Sequence, residues 1–263
     1  MLQIVIPAYN EEKRLPRTLR ELRRFVREHR ARLGIVEVIV VDNASSDATA
    51  QVARSADSAA LPVRVLSCAV RGKGAAVAAG IAATDADVVA FMDADGATHL
   101  DAVLESMRLM ALGADVAIGS RAAVGADTAA RHSRLRESGA RRYRALATRI
   151  VPGIGDTQCG FKVLRGDLAR ATFAELRTVG FSFDVELLAR VQHRGAEIVE
   201  FPVQWADVPG STFKPLRHGA GAFLTLAVIA WQLRITAPPA RRHVVTALGA
   251  SLSNASAPVA VEA

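Results

Sequence analysis

The first 120 residues alternate short apolar runs with longer polar stretches whose apolar residues recur at helical spacing, and this alternation restricts the fold more than any other feature. LQIVI (Leu2–Ile6), VEVIVV (Val36–Val41), VRVLS (Val63–Ser67), DVVAFM (Asp87–Met92) and DVAIGS (Asp115–Ser120) read as strands. Glu11–Leu33, Ser46–Ala59, Lys73–Thr84 and Leu100–Gly113 read as helices, the second capped by Ser45 or Ser46. Buried strands separated by helices build a mostly parallel sheet covered on both faces, so the fold class is α/β. Ligands of such sheets bind beyond the carboxyl ends of the strands. That rule selects Pro7–Glu11, Asp42–Asp47, Asp93–Thr98 and Arg121.

The second half is less regular. Arg131–Ile150 is arginine-rich and helical, Gly155–Leu164 is a loop entering a short strand, and Phe183–Arg194 is a helix. Glu197–Gln204 reads as a strand before a Pro/Gly loop, and Gly219–Ile235 as an apolar helix. Beyond Pro238-Pro239 periodicity fades, so one domain is expected over 1–236, with 237–263 a disordered tail.

About half of the residues (51%) are apolar, enough for a sizeable core. The net charge of +7 favours phosphate, nucleic acid or acidic lipid as partners. No zinc-finger spacing, aromatic RNA-binding run or basic heptad helix appears, so no nucleic-acid partner is expected. Cys68 and Cys159 lie far apart without CxxC or zinc spacing, which suits a reduced, cytoplasmic protein. The chain opens directly on an apolar strand, without the pattern of a signal peptide.

FMDADGATH (Phe91–His99) carries the most chemistry. Asp93 and Asp95 share one face of an extended backbone. Two carboxylates so placed repel unless a cation lies between them, and a hard Mg²⁺ or Mn²⁺ ion completed by substrate phosphates fits the pair. A solvated Asp/Gly turn would use the same residues. Asp42, at the end of its strand, can accept hydrogen bonds from a base or ribose, or close an Asx-turn, while Asp47 suits capping of the next helix. RGKGAAV (Arg71–Val77) offers Lys73 and backbone N–H groups to phosphate, without being a Walker or GxGxxG loop. Arg121 suits either a phosphate contact or a surface ion pair.

Taken in order, VIPAYNEEKRLP (Val5–Pro16), VVDNASSDAT, RGKGAAV, FMDADGAT, GSRA, DTQCGFKVL (Asp156–Leu164), FSFDVELL (Phe181–Leu188) and PVQWADVPGS (Pro202–Ser211) resemble glycosyltransferase family 2 over roughly residues 3 to 235. Within it they are most similar to the polyprenyl-phosphate sugar synthases that act with glucose. The resemblance implies a GT-A (Rossmann-like) fold with a C-terminal amphipathic helix, a nucleotide-sugar half over about 1–121 and an acceptor half over about 122–236. It implies a UDP- or GDP-sugar donor with UDP-glucose favoured, Mg²⁺ or Mn²⁺, and inverting transfer to a polyprenyl phosphate. By position, Pro7, Tyr9, Glu11 and Asp42 would hold the nucleoside, with Lys73 nearby. Asp93 and Asp95 would bind ribose, metal and diphosphate. Arg121 and Arg134 would contact phosphate, Gln158 would line the sugar pocket, and Asp184 and Glu186 would sit in the reaction centre. The family's GSK loop reads GSTFK here, which leaves Ser211 and Lys214 as the candidates for the closing phosphate contact. The long transmembrane segments of many relatives have no counterpart here.

The chemistry separates charge as the sugar becomes oxocarbenium-like and the diphosphate departs. An acceptor phosphate is already ionised and needs no strong base, whereas a hydroxyl acceptor needs one, supplied by Asp184 or Glu186. Their i, i+2 spacing on a helix turns them apart, so only one faces the reacting atoms. Ala222–Leu233 is strongly apolar yet too short to span a bilayer. Arg217 and Arg234 flank it, and Arg131, Arg134, Arg136, Arg141, Arg142, Arg144 and Arg149 form a basic stretch. Together they suit contact with the cytoplasmic membrane face. A core helix beside a solvated basic helix, or a basic oligomer contact, remains open. A soluble transferase acting on a small molecule is the alternative, and a silent nucleotide-sugar-binding protein a third. A nucleotidyltransferase would place a glycine-rich loop after the first strand, and PAYNEE is not one.

Overall fold

The computed structural model describes residues 1–129, 134–208, 215–236 and 244–246. In chain order these form β1 (Leu2–Ala8), α1 (Leu15–Glu28), α2 (Arg30–Leu33), β2 (Val36–Asp42), α3 (Thr49–Arg54), β3 (Val63–Ser67), α4 (Lys73–Ala82), β4 (Val88–Phe91), α5 (Asp101–Ala111) and β5 (Val116–Ser120). The remainder is β6 (Asp127–Ala129), α6 (Arg134–Ile150), β7 (Lys162–Arg165), α7 (Gly166–Phe173), α8 (Phe183–His193), β8 (Ile198–Pro202), β9 (Gln204–Ala206), α9 (Pro215–Thr236) and β10 (Val244–Thr246).

The main sheet runs β10-β8-β5-β7-β4-β1-β2-β3, and β6 pairs β9 in a small second sheet. Every pairing in the main sheet is parallel except those of β7, which runs against both β4 and β5. The strands are apolar on both faces because both are covered. Leu2, Ile4 and Ile6 of β1 join Leu15, Leu19 and Leu22 of α1 and Val103 and Leu109 of α5 in one core. Val5 joins Ile39, Val41, Val77 and Ile81 in the other, beneath α4, with α7, α8 and α9 beyond. A Cβ on Gly80 would meet the side chains of Val5 and Val41, so glycine there lets α4 lie directly on β1 and β2.

Register places the functional loops on one rim. Ala8 of β1 stands opposite Asp42 of β2, and Val5 opposite Phe91 of β4. The segments that follow these three strands therefore leave side by side. The reversed β7 begins at the same rim, with Lys162 opposite both Phe91 and Ile118, which brings the loop before it (156–161) to the ends of β4 and β5.

Several local expectations are corrected. The predicted Glu11–Leu33 helix starts only at Leu15 and breaks at His29, whose φ of −111° and ψ of 20° are not helical. Neither Ser45 nor Ser46 caps α3; Asp47 Oδ1 accepts the Thr49 N–H (3.0 Å) instead. The Glu197–Gln204 run divides at Val203 into β8, in the main sheet, and β9, which pairs β6. Val244–Thr246, in the stretch expected to be a tail, pairs β8; the rest of 237–263 lies outside the described residues. The C-terminal helix α9 buries Leu226, Ile229 and Leu233 and exposes Leu224 (70%), Val228 (44%) and Trp231 (65%). Between residues 221 and 233 its outward face is thus apolar, where an amphipathic helix in water carries charge. Among the described residues no helix is long and apolar enough to cross a membrane.

Candidate functional site

The loops after β1 and β2 are fastened to each other. Asn10 and Ala44 adopt left-handed φ of 55° and 57°, a conformation that non-glycine residues keep only where the surroundings enforce it. The Asn10 N–H donates to Ser45 Oγ (3.0 Å) and the Ser46 N–H to Asn10 Oδ1 (2.9 Å). The Glu11 N–H donates to Thr49 Oγ1 (2.8 Å). Asp42 closes a turn on the Ser45 N–H (3.2 Å). Pro7 is half-buried and Tyr9 exposed beside these loops. The four residues assigned to the nucleoside thus share one cross-linked rim.

Asp93 and Asp95 follow β4. Burial, then the neighbouring charge of Asp93, raises Asp95 above the ordinary carboxyl range. Gly96, at φ 70°, turns the loop back against Thr18, whose hydroxyl donates to the Ala94 carbonyl (2.8 Å). Gly160 is glycine for a site reason: a Cβ there would collide with the Asp93 carboxylate. No group of three or more His, Cys, Asp or Glu forms a cage among the described residues. Two carboxylates without a third ligand fit an ion such as Mg²⁺, which keeps waters and takes further oxygens from substrate phosphates.

Lys73 Nζ stands 2.6 Å from Asp93 Oδ1. Burial would lower this lysine, but Asp93 and Asp184 outweigh it and hold its pKa above the ordinary value. The glycines around Lys73 do not form the expected phosphate cradle. A Cβ on Gly72 or Gly74 would strike the Val179 or Thr178 carbonyl, and the Ala75 N–H donates to Val179 O (3.1 Å). The segment before α8 packs on the start of α4 and leaves the ammonium group, rather than the helix end, facing Asp93.

Arg121 makes a two-pronged pair with Asp156, Nε to Oδ2 at 2.7 Å and Nη2 to Oδ1 at 2.9 Å, and its guanidinium lies 5.5 Å from the Trp205 ring centroid. Burial pushes the Asp156 carboxyl up, but Arg121 overcomes this and holds it below the ordinary range. Buried Glu200 accepts the Gly155 and Asp156 N–H groups at 3.0 and 2.9 Å. Arg121 thereby anchors the loop that carries Gln158, whose Nε2 is buried without a hydrogen-bond partner among the described residues.

The two acids of FSFDVELL separate as their helical spacing requires. Asp184 is 2% exposed and accepts from fully buried Lys162 (Nζ to Oδ1, 2.5 Å), which also donates to the Cys159 carbonyl (2.7 Å) and lies 5.3 Å from the Phe91 ring centroid. Burial raises Asp184, against the pull of Lys162 and Lys73. Glu186 faces away from this group. It accepts the Arg177 and Thr178 N–H groups (3.2 and 2.8 Å) and pairs with Arg190 (2.7 Å). Those bonds prevail over burial and hold it below the ordinary range. The expectation that Glu186 reaches the reaction centre is corrected: it joins α8 to the segment that covers α4.

Two residues were not singled out from the sequence. Lys162 resembles any strand lysine until β7 is known to be buried. Arg14 pairs with Glu11 and approaches Asp95 to 3.9 Å; its spacing from Glu11 was the available signal. Arg134 opens α6, but its side chain, and Ser211 and Lys214 entirely, lie outside the described residues. A cavity of about 580 Å³ opens between α1, the segment 96–101 and β9, lined by Arg17, Phe25, His99 and Trp205 among others; of the strand-end residues selected from the sequence it takes Gly96, Ala97 and Thr98, but neither Asp93 nor Asp95.

Comparison with known proteins agrees with this geometry. Residues 3–173 match the glycosyl transferase family 2 sequence model. The chain is 35% identical to human dolichyl-phosphate beta-glucosyltransferase over 226 residues, which covers 81% of this chain and 70% of that protein. It is 37% identical to the Drosophila melanogaster protein of the same name, with 81% and 69% covered. Among solved structures, glucosyl-3-phosphoglycerate synthase from Mycobacterium tuberculosis with Mn²⁺, uridine diphosphate and glucosyl-3-phosphoglycerate superposes with a TM-score of 0.65 at 21% identity, over 91% of this chain and 81% of that one. The same enzyme with Mg²⁺ and uridine diphosphate gives 0.62 at 22% identity, over 86% and 79%. The GT-A arrangement expected from the sequence is thus the one observed, and the chain belongs to glycosyltransferase family 2.

Proposed function

We propose that the chain transfers glucose from UDP-glucose to a polyprenyl phosphate, with inversion at the anomeric carbon. The observation that carries the reading is that neither acid of the α8 pair is free to act as a base. Asp184 is closed off by Lys162, and Glu186 is spent on Arg177, Thr178 and Arg190. A hydroxyl acceptor needs its proton removed, whereas a phosphate oxygen attacks already ionised. The names of the relatives point to the same acceptor class.

In this reading Pro7, Tyr9, Glu11 and Asp42 hold the nucleoside on the cross-linked rim. Asp93 and Asp95 hold Mg²⁺ or Mn²⁺, which when bound supplies positive charge to the departing diphosphate. Lys73 adds fixed charge on the same side. The unpartnered Gln158 Nε2 faces the sugar hydroxyls. Arg121 holds the loop of Gln158 and keeps Nη1, which makes no bond to Asp156, for an acceptor phosphate; Arg134, Ser211 and Lys214 are its proposed companions. Asp184 fixes Lys162 and lends its charge to Lys73 rather than taking a proton.

The acceptor would be met at a membrane surface, on its cytoplasmic face. Arg141, Arg142, Arg144 and Arg149 are exposed on α6. The exposed Leu224, Val228 and Trp231 lie on α9, which meets α6 through Tyr143 and Phe223 (ring centroids 5.9 Å apart). Cations beside an outward apolar stripe suit an anionic lipid surface.

The test offers radiolabelled UDP-glucose with polyprenyl phosphate or with the matching polyprenol. Labelled lipid phosphate from the first and none from the second is expected. Transfer to polyprenol, or none to polyprenyl phosphate, would overturn the proposal.

A further inference from the structure

Each acid at the end of β4 faces a cation supplied by the chain itself. Lys73 Nζ is 2.6 Å from Asp93 Oδ1, and Arg14 Nη1 is 3.9 Å from Asp95 Oδ2. Arg14 engages Glu11 through Nε (2.7 Å) and Nη2. Its Nη1 is buried and has no hydrogen-bond partner among the described residues, because the 3.9 Å to Asp95 lies beyond hydrogen-bonding distance. A buried guanidinium nitrogen without an acceptor is costly, and an incoming anionic oxygen would relieve it.

Glu11, Asp93 and Asp95 bring three negative charges to this corner, and Arg14 and Lys73 offset two of them. The single net charge that remains attracts a bare divalent ion only weakly, and Mg²⁺ in particular surrenders its hydration shell reluctantly. A metal–diphosphate complex differs in sign and in oxygen supply. Its phosphate oxygens can accept from Lys73 Nζ and Arg14 Nη1 while its metal takes the carboxylates those cations release. We infer that Arg14 and Lys73 make the Asp93–Asp95 pair refuse a free divalent cation and accept one only as its complex with a nucleoside diphosphate. The inference rests on the donor reading proposed above and assigns Arg14 to donor recognition beside Lys73.

The test measures Mn²⁺ binding by electron paramagnetic resonance, with and without UDP, and UDP binding by calorimetry at saturating Mn²⁺. The wild-type chain should bind Mn²⁺ alone at least about 100-fold more weakly than with saturating UDP. Lys73→Met should tighten binding of Mn²⁺ alone by about tenfold or more and weaken UDP binding by a similar factor. Arg14→Gln should move both in the same directions, and serves if Lys73→Met does not fold. Wild-type Mn²⁺ binding that is equally tight without UDP overturns the inference alone, as do folded variants that lose Mn²⁺ and UDP together. Failure of the wild type to bind UDP at any Mn²⁺ concentration overturns it together with the donor reading.

Discussion

Replacing Lys162 by methionine isolates the buried charge pair at the centre of the site. The variant leaves Asp184 buried opposite a thioether. At 2.5 Å the pair's attraction is roughly 6–7 kcal/mol at an effective dielectric constant of about 20. Burying both charges offsets part of that, and loss of one partner of a buried pair costs about 3–5 kcal/mol. For a domain of this size that lowers the melting temperature by roughly 6–20 °C. The deficit should depend on pH. Burial already raises the Asp184 carboxyl, and Lys162 is the first force that opposes the rise. Without it the folded chain keeps a proton that the unfolded chain sheds above about pH 4. Stability of the variant then falls by about 1.4 kcal/mol per pH unit from there up to the raised folded value. Lys162→Met/Asp184→Leu, which removes both charges, should recover most of the stability, because apolar replacement of a buried pair is often neutral. It should not recover turnover, since Lys73 loses its second anionic neighbour. Urea unfolding at pH 4.5 and 8, with glucose transfer measured below the transition, reads all of this. A single variant as stable as wild type, a deficit equal at both pH values, or a double variant no better than the single would refute the reasoning.

Other substitutions separate the remaining roles. Glu186→Gln should lose about 1.5–3 kcal/mol in urea unfolding through its weakened charged hydrogen bonds, with kcat within about threefold of wild type, because this acid is structural. Gly160→Ala should cut kcat/KM by about 100-fold or more, about 2.7 kcal/mol, because its methyl group displaces the Asp93 carboxylate; circular dichroism should show the fold retained. Trp231→Ser with Leu224→Ser should lower sedimentation with anionic liposomes at least tenfold, since burial of each such side chain contributes about 1.5–3 kcal/mol, while UDP binding stays unchanged.

The parts of the structure legible in the sequence were those written in periodicity and strand ends. Five apolar runs gave β1 to β5 within one or two residues, and the rule of carboxyl ends led to Asp42, Asp93 and Arg121. The three-residue strands β6, β9 and β10 were not visible, because so short a segment has no period to detect. The reversal of β7 was hidden for another reason. Strand direction is a property of connections, and nothing in KVLR distinguishes parallel from antiparallel pairing. That reversal buries Lys162 against Asp184. Helical spacing did foretell that Asp184 and Glu186 would face apart. Their partners, the Arg177 and Thr178 amides and Lys162, come from segments whose approach only tertiary packing determines.

Metal dependence of the transfer itself tests the account most directly. Protein stripped with a chelator should transfer no glucose, and Mn²⁺ should restore the wild-type rate as one ion binds per chain. Asp93→Asn/Asp95→Asn, though folded, should stay inactive at any Mn²⁺ concentration. Full transfer by the stripped protein, or a double variant that keeps more than about a tenth of the wild-type rate, a barrier rise of less than about 1.4 kcal/mol, would contradict a mechanism centred on those two carboxylates.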